Sequence, residues 1–278
     1  MTKETEQKIN ERMDHVKPFP HYVREAINLI DSDDSDNILV AKIIKQDPIL
    51  SARILSIANS PFYGMSGKVE DVETSCVILG SNVIKNLLIS VGALGCYPAT
   101  DQRTKIWAHS IEVASISELL ANRLNQSESK AYIAGLLHDV GKFLLIDTFP
   151  EHQSMIEESH PVNNNDSLEE EIKIMGTNHA QTGSKIIGVW NLPKDIQNIV
   201  EMHHDPANAD DYVMCSLISL ADELCHMLEM KVPDEDILSE LNSESIALLD
   251  LEPRDILSML PIAKERIGLL EGMLENLK

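Results

Sequence analysis

Aromatic residues are scarce in this chain: Phe, Trp and Tyr together make up 4% of 278 residues. A core must therefore be built from Leu, Ile, Val, Ala and Met, within a hydrophobic content of 43%, and such a core favours helices over sheets. The four cysteines, Cys76, Cys96, Cys215 and Cys225, show no C-x-x-C spacing, and none of their separations suggests a zinc ribbon. All four lie in apolar stretches and read as small buried thiols in a reducing compartment. Positive charge is short as well: 23 Lys and Arg stand against 45 Asp and Glu, a formal net charge of −22. A surface of that sign repels nucleic acid and anionic membranes, and no Lys/Arg cluster offsets it. Solubility alone is sufficient reason for it. Residues Met1 to Met13 contain no apolar signal-peptide core, and no apolar run reads as long enough to span a membrane. The expectation is a cytoplasmic protein with neither a membrane nor a nucleic acid polymer as partner.

What is present is helical periodicity from end to end. His21 to Asp31 carries Val23, Ala26, Ile27 and Ile30 on one stripe. Asp47-Pro48 reads as a cap followed by proline at the first helical position, opening a helix to Ala58. Asn59-Ser60-Pro61 stops it, and Phe62-Tyr63-Gly64 follows in a loop. Val72 to Leu79 is a short helix ended by Gly80, and Asn82 to Leu94 is a longer one. Pro98 to Gln102 reads as the connector between two helical halves, 1–98 and 99–278. The second half predicts helices over Ile106–Leu124, Ser129–Ile146, Glu169–Met175, Ala180–Trp190, Pro193–His203 and Tyr212–Met230, then around 234–248 and 253–276. Asn163-Asn164-Asn165-Asp166 reads as a solvated loop ending in a cap. The fold class is all-α.

The most informative stretch is Gly135-Leu136-Leu137-His138-Asp139-Val140-Gly141-Lys142. It sets an imidazole beside a carboxylate in a strongly apolar segment, where each needs a partner. Further candidate ligands are His109, His179, His203-His204 and Asp222. A helical bundle can bring such side chains to one point in its core. Imidazole and carboxylate together suit Fe, Mn, Zn, Co or Ni. Two such ions would hold a phosphate between them and lower the pKa of a bound water. Blander readings stand beside this one. His179 fits an N-cap or loop, and His203-His204 fits a helix C-terminus, where a cation complements the dipole. Asp222, inside an apolar helix, has no such reading. His15, His152, His160 and His226 read as surface or satisfied histidines.

The order His, His-Asp, His, His-His, Asp resembles the HD superfamily of metal-dependent phosphohydrolases. The N-terminal half resembles HDOD domains through Asp47-Pro48-Ile49-Leu50-Ser51-Ala52-Arg53-Ile54-Leu55, Ala58-Asn59-Ser60-Pro61-Phe62-Tyr63-Gly64, and Val72 with Ile78-Leu79-Gly80. Ala131 to Lys142, Gly188-Val189-Trp190-Asn191-Leu192-Pro193 and His203-His204 continue the match. The resemblance spans roughly residues 15–230. It implies an HDOD fold, an N-terminal bundle packed on an HD-like bundle, and a bacterial signalling context.

It also implies a ligand set. His109, His138, Asp139 and Asp222 would hold one divalent metal; His179, His203 and His204 would hold a second, with Asp139 bridging. Lys142 matches the lysine of the related HD-GYP pattern H-D-x-x-G-K, where it would face substrate phosphate. Two departures matter. His203-His204 is followed by Asp205-Pro206, not by Glu and an Asp-Gly-x-Gly-Tyr-Pro segment, so cyclic di-GMP hydrolysis does not carry over. Lys105 stands where some three-metal members have an acidic ligand, which favours two metals. Two functions follow: a regulator that binds a binuclear metal centre and a signalling protein partner, or a phosphohydrolase on a small nucleotide-like phosphoester with Asp139 and Lys142 in catalytic roles.

Overall fold

The computed structural model of the chain describes residues 3–32, 37–59, 69–97, 100, 103–152, 164–241 and 243–275. Every regular element among the described residues is helical. The chain divides into two compact units, one of residues 17–98 and one of residues 1–16 with 99–278.

In the unit of residues 17–98, α2 (His21–Ile30), α3 (Asn37–Ile44), α4 (Pro48–Ala58) and α5 (Val72–Cys96) bury Val23, Ala26, Val40, Ile44, Leu50, Ile54, Leu88 and Ala93 among themselves. Asp47 caps α4: its Oδ1 accepts from Leu50 N–H at 3.1 Å, and its Oδ2 accepts from Tyr22 Oη–H at 2.6 Å. Asn59 pairs with both backbone groups of Val69, at 2.8 and 3.0 Å. The Ser60-Pro61-Phe62-Tyr63-Gly64 motif between these residues lies outside the described residues. α5 contains the break expected at Gly80, which takes φ 77° and ψ 165°, a conformation open to glycine. Contrary to expectation, α5 is long and apolar enough to cross a membrane by length and composition. The kink leaves Ser81–Cys96 as its longer straight piece, ~24 Å at ~1.5 Å per residue against a hydrocarbon core of ~30 Å.

The second unit holds α1 (Lys3–Met13), α6 (Thr104–Arg123), α7 (Glu128–Leu137), α8 (Val140–Thr148), α9 (Asn164–Met175), α10 (His179–Val189), α11 (Lys194–Met202), α12 (Tyr212–Glu229), α13 (Asp234–Glu240), α14 (Ser243–Leu248) and α15 (Pro253–Glu275). The first sixteen residues group here and not with 17–98, a division that differs from the expected 1–98 unit. α1 packs on α8. Its Ile9 is fully buried, and its Arg12 reaches Asp147 at 3.9 Å, the carboxylate that Arg103 binds at 2.5 Å. A helix so polar, with one buried apolar residue among charges, gives no periodic signal.

α12 is the central element. It is buried without a gap from Met214 to Asp222, as a helix surrounded by others must be. α6, α7, α11 and α14 pack on it. α8 packs on α10, and α10 on α11. The expected helix Ser129–Ile146 is broken: α7 ends at Leu137 and α8 begins at Val140, so His138-Asp139 occupies a joint and not a helix interior. Likewise Asn164, Asn165 and Asp166 belong to the first turn of α9 and not to a loop.

The joint depends on Gly141. A Cβ there would lie 1.9 Å from the His179 carbonyl oxygen, 2.5 Å from Thr182 Oγ1 and 2.6 Å from Gly183 N. α8 can touch the start of α10 only because this side chain is missing. Gly141→Ala should push the two helices apart and cost about 1–3 kcal/mol or more. Urea denaturation of the variant measures it, and an unchanged midpoint would contradict the close approach.

Candidate metal centre

Five elements of this unit deliver the candidate ligands. His109 comes from the first turns of α6. His138 and Asp139 come from the joint between α7 and α8. His179 is the first residue of α10, behind the cap Asn178, which accepts from Gln181 N–H at 2.8 Å. His203 is the C-cap of α11, and His204 follows it. Asp222 sits midway along α12. His138, Asp139, His179, His203 and Asp222 are at most 3% exposed, and His109 5%.

The seven residues form a connected cluster. His109 Nε2 lies 2.9 Å from Asp222 Oδ1, which lies 3.6 Å from His138 Nε2. His138 Nε2 is 3.4 Å from Asp139 Oδ2. The other Asp139 oxygen is 3.4 Å from His179 Nε2, which is 2.9 Å from His204 Nε2. The His203 ring centre is 4.0 Å from that of His204 and 5.2 Å from that of His138.

Ring orientation is the decisive feature. His138 Nδ1 donates to the Gly135 carbonyl at 2.7 Å, and His203 Nδ1 donates to the Val200 carbonyl at 2.8 Å. A carbonyl only accepts, so Nδ1 carries a proton, and in the neutral ring Nε2 carries the lone pair. The Nε2 atoms of both rings are buried without a hydrogen-bond partner. His179 Nδ1 and the His179 backbone N–H both donate to Glu171, at 2.9 and 2.7 Å. His109 Nδ1 donates to Glu229 Oε1 at 3.1 Å. In all four residues Nδ1 is engaged away from the cluster and Nε2 faces it. Buried polar atoms without partners are rare, and outward-held Nδ1 with inward Nε2 is how metal-binding histidines are arranged. The donor set therefore fits a divalent metal. Donor atoms gather within 4.8 Å of one another in His179, His203 and His204, in His109, His138 and Asp222, and in His138, Asp139 and His203.

The charges are strongly coupled. Burial opposes ionisation of Asp139, but His138 and Lys142 hold its carboxyl well below the usual range. Burial likewise opposes ionisation of Asp222, and His226 and His109 outweigh it. Burial disfavours a proton on His138, yet Asp139 and Asp222 push its pKa up to about 10; a cation competes with that proton for the same lone pair. Burial and the neighbouring rings push His203 down to about 3 and His204 well below its ordinary value. Lys142, 4% exposed, is ion-paired with Asp139 Oδ2 at 2.7 Å. Its position toward a substrate phosphate, as the resemblance implies, would require it to leave that carboxylate.

Three neighbours were missed by sequence reasoning. His226, expected at the surface or satisfied, is 8% exposed. It reaches Asp222 Oδ1 at 3.1 Å and stacks on His109 at 4.3 Å. Glu229 and His226 continue the Asp222 face of α12 at i+7 and i+4, a readable spacing. Glu171, fully buried, carried no such signal. The turn at Gly176, with φ 73°, brings it back onto His179. His15 lies apart, bonded to the Glu11 carbonyl, and His160 is outside the described residues.

The depressed histidines give a pH dependence of stability. An unfolded chain protonates His203 below ~6.5, whereas the folded one does so only near about 3. The folded state thus binds fewer protons, and the contribution is full above ~6.5 and shrinks as pH falls. Urea midpoints in chelator should drop between about pH 7 and pH 5. His203→Gln should flatten that drop; an equal drop in both proteins would contradict the assignment.

Comparison with known proteins follows the same line. The HDOD domain pattern matches residues 16–206. An uncharacterized protein of Treponema pallidum (strain Nichols) is 26% identical over 240 residues, covering 84% of this chain and 47% of its own length. Ribonuclease Y 1 of Pediococcus pentosaceus is 25% identical over 189 residues, covering 67% of this chain and 31% of its own length. The chain thus spans less than half the length of these curated relatives. Among solved structures, a candidate phosphohydrolase from Shewanella amazonensis SB2B superposes with a TM-score of 0.74 at 22% identity, over 95% of this chain and 97% of that one. The all-helical fold and the long match from residue 16 to 206 agree: this chain belongs to the HDOD domain family.

Proposed function

We propose that this protein is a cytoplasmic regulatory HDOD protein that binds a binuclear divalent metal centre and acts through a signalling protein partner. The observation that carries the metal reading is the orientation of four imidazoles, with Nδ1 of His109, His138, His179 and His203 engaged outward and Nε2 inward. His109, His138, Asp139 and Asp222 would hold one ion. His179, His203 and His204 would hold the other, and the two Asp139 oxygens, directed to His138 and to His179, suit a shared ligand. The four described cysteines are free and buried, which fits a reducing compartment.

The second reading, a phosphohydrolase acting on a small nucleotide-like phosphoester, is favoured by the complete ligand set and by Lys142 beside it. Bound divalent cations would polarise a phosphate oxygen and acidify a water. Lys142 would neutralise charge developing on the phosphate, and Asp139 would hold the ligand field together while exchanging its contact with Lys142. The net charge of −22 disfavours a polynucleotide and suits a small substrate.

Metal content separates the metal reading from a satisfied polar core. Wild type purified with Mn, Fe or Co should carry metal, and Asp139→Ala should lose most of it. Equal content in both proteins, or none in either, would refute the centre. Turnover then separates the two functions. Metal-loaded wild type is assayed on phosphomonoesters, cyclic nucleotides and cyclic dinucleotides. If it is an enzyme, Lys142→Ala should keep its metal and lose about a hundredfold or more in rate. A silent wild type with metal bound supports the regulator.

A further inference from the structure

The four outward-held imidazoles do not have equivalent supports. His138 and His203 donate to neutral backbone carbonyls of their own helices, Gly135 and Val200. His179 and His109 donate to carboxylates, Glu171 and Glu229. A carboxylate acceptor makes the imidazole a stronger ligand and fixes its ring, and losing such a partner typically weakens metal binding about 10–100-fold. The two carboxylate-backed rings also fall in different donor groups. His179 gathers with His203 and His204, and His109 gathers with His138 and Asp222. Each of these two groups contains one such ring; His138, Asp139 and His203 form a further group with neither, and His109 also gathers with His226 and Glu229.

We propose that Glu171 and Glu229 are positioning residues that each govern one of two separate cation positions, Glu171 through His179 and Glu229 through His109. This rests on the binuclear reading above. Glu171 holds His179 twice, by the ring and by its backbone N–H at 2.7 Å, and so fixes the start of α10 as well as the ring plane. Glu229 lies two turns beyond Asp222 on α12, so one helix supplies both a ligand and the support of its partner ring. Their surroundings differ: Glu171 is fully buried, whereas the Glu229 side chain is 35% exposed. A hydrogen bond at the solvent edge is worth less than a buried one. The Glu171 effect should therefore lie toward the upper end of the range and the Glu229 effect toward the lower.

The test is calorimetric titration with Co or Mn, with metal stoichiometry measured independently. Wild type should take two equivalents in two steps. Glu171→Gln should weaken one step about 10–100-fold and leave the other unchanged. Glu229→Gln should weaken the other step by about tenfold. His204→Ala, which belongs only to the first group, should weaken the same step as Glu171→Gln, and Asp222→Asn the same step as Glu229→Gln. Variants that weaken both steps equally, or neither, would overturn the proposal while leaving the binuclear centre standing. Fewer than two equivalents in wild type would instead overturn the binuclear reading. Melting curves in chelator identify a variant that fails to fold. Should Glu171→Gln be such a case, the exposed Glu229 still carries the test alone.

Discussion

Asp139 and Asp222 are carboxylates with almost no access to water, 2% and 3% exposed. An unpaired charge in such a place costs several kcal/mol. Much of the second unit can be understood as the response to that cost. Asp139 is met by Lys142, His138 and His179, and Asp222 by His109, His138 and His226. Hydrophobic residues of similar volume would stabilise a bundle as well or better. The presence of the charges points to a use beyond folding.

The backbone serves the same end. A helix running unbroken from Ser129 to Ile146 would be the simplest outcome of that apolar sequence. The chain breaks at His138-Asp139, and the missing side chain of Gly141 lets α8 meet the carbonyl of His179. The break turns His138 and Asp139 toward residues from α10, α11 and α12. Close helix contact and ligand convergence are thus the same structural event.

The Lys142–Asp139 ion pair bears on the choice between regulator and enzyme. A lysine engaged with the Asp139 carboxylate balances its buried charge. The same lysine, released, could meet an anion. The family match gives the fold, while the curated relatives include ribonuclease Y sequences of which this chain spans only a part. Chemistry at the site, and not fold, must decide between the two readings.

Helix class, the apolar stripes and the candidate ligands were legible in the sequence because each depends on local chemistry or on spacing within one segment. Gly80, the cap at Asp47 and the buried position of Asp222 belong to that class, whereas the cap of α10 is Asn178 and not His179. The Asp222, His226 and Glu229 face of α12 was legible in principle, since helical spacing alone aligns it. What the chain could not disclose locally was decided by tertiary packing. The break at His138-Asp139 needs a neighbouring helix to approach Gly141. The return of Glu171 onto His179 needs a left-handed turn at Gly176. The polar helix α1 needs Asp147, and its Ile9 is buried only once the chain is packed. The direction in which four imidazoles point is set by acceptors 3, 3, 8 and 120 residues away along the chain. The sequence names the donors; His138 and His203 are turned by carbonyls of their own helices, whereas His179 and His109 depend on carboxylates that only the folded chain brings into reach.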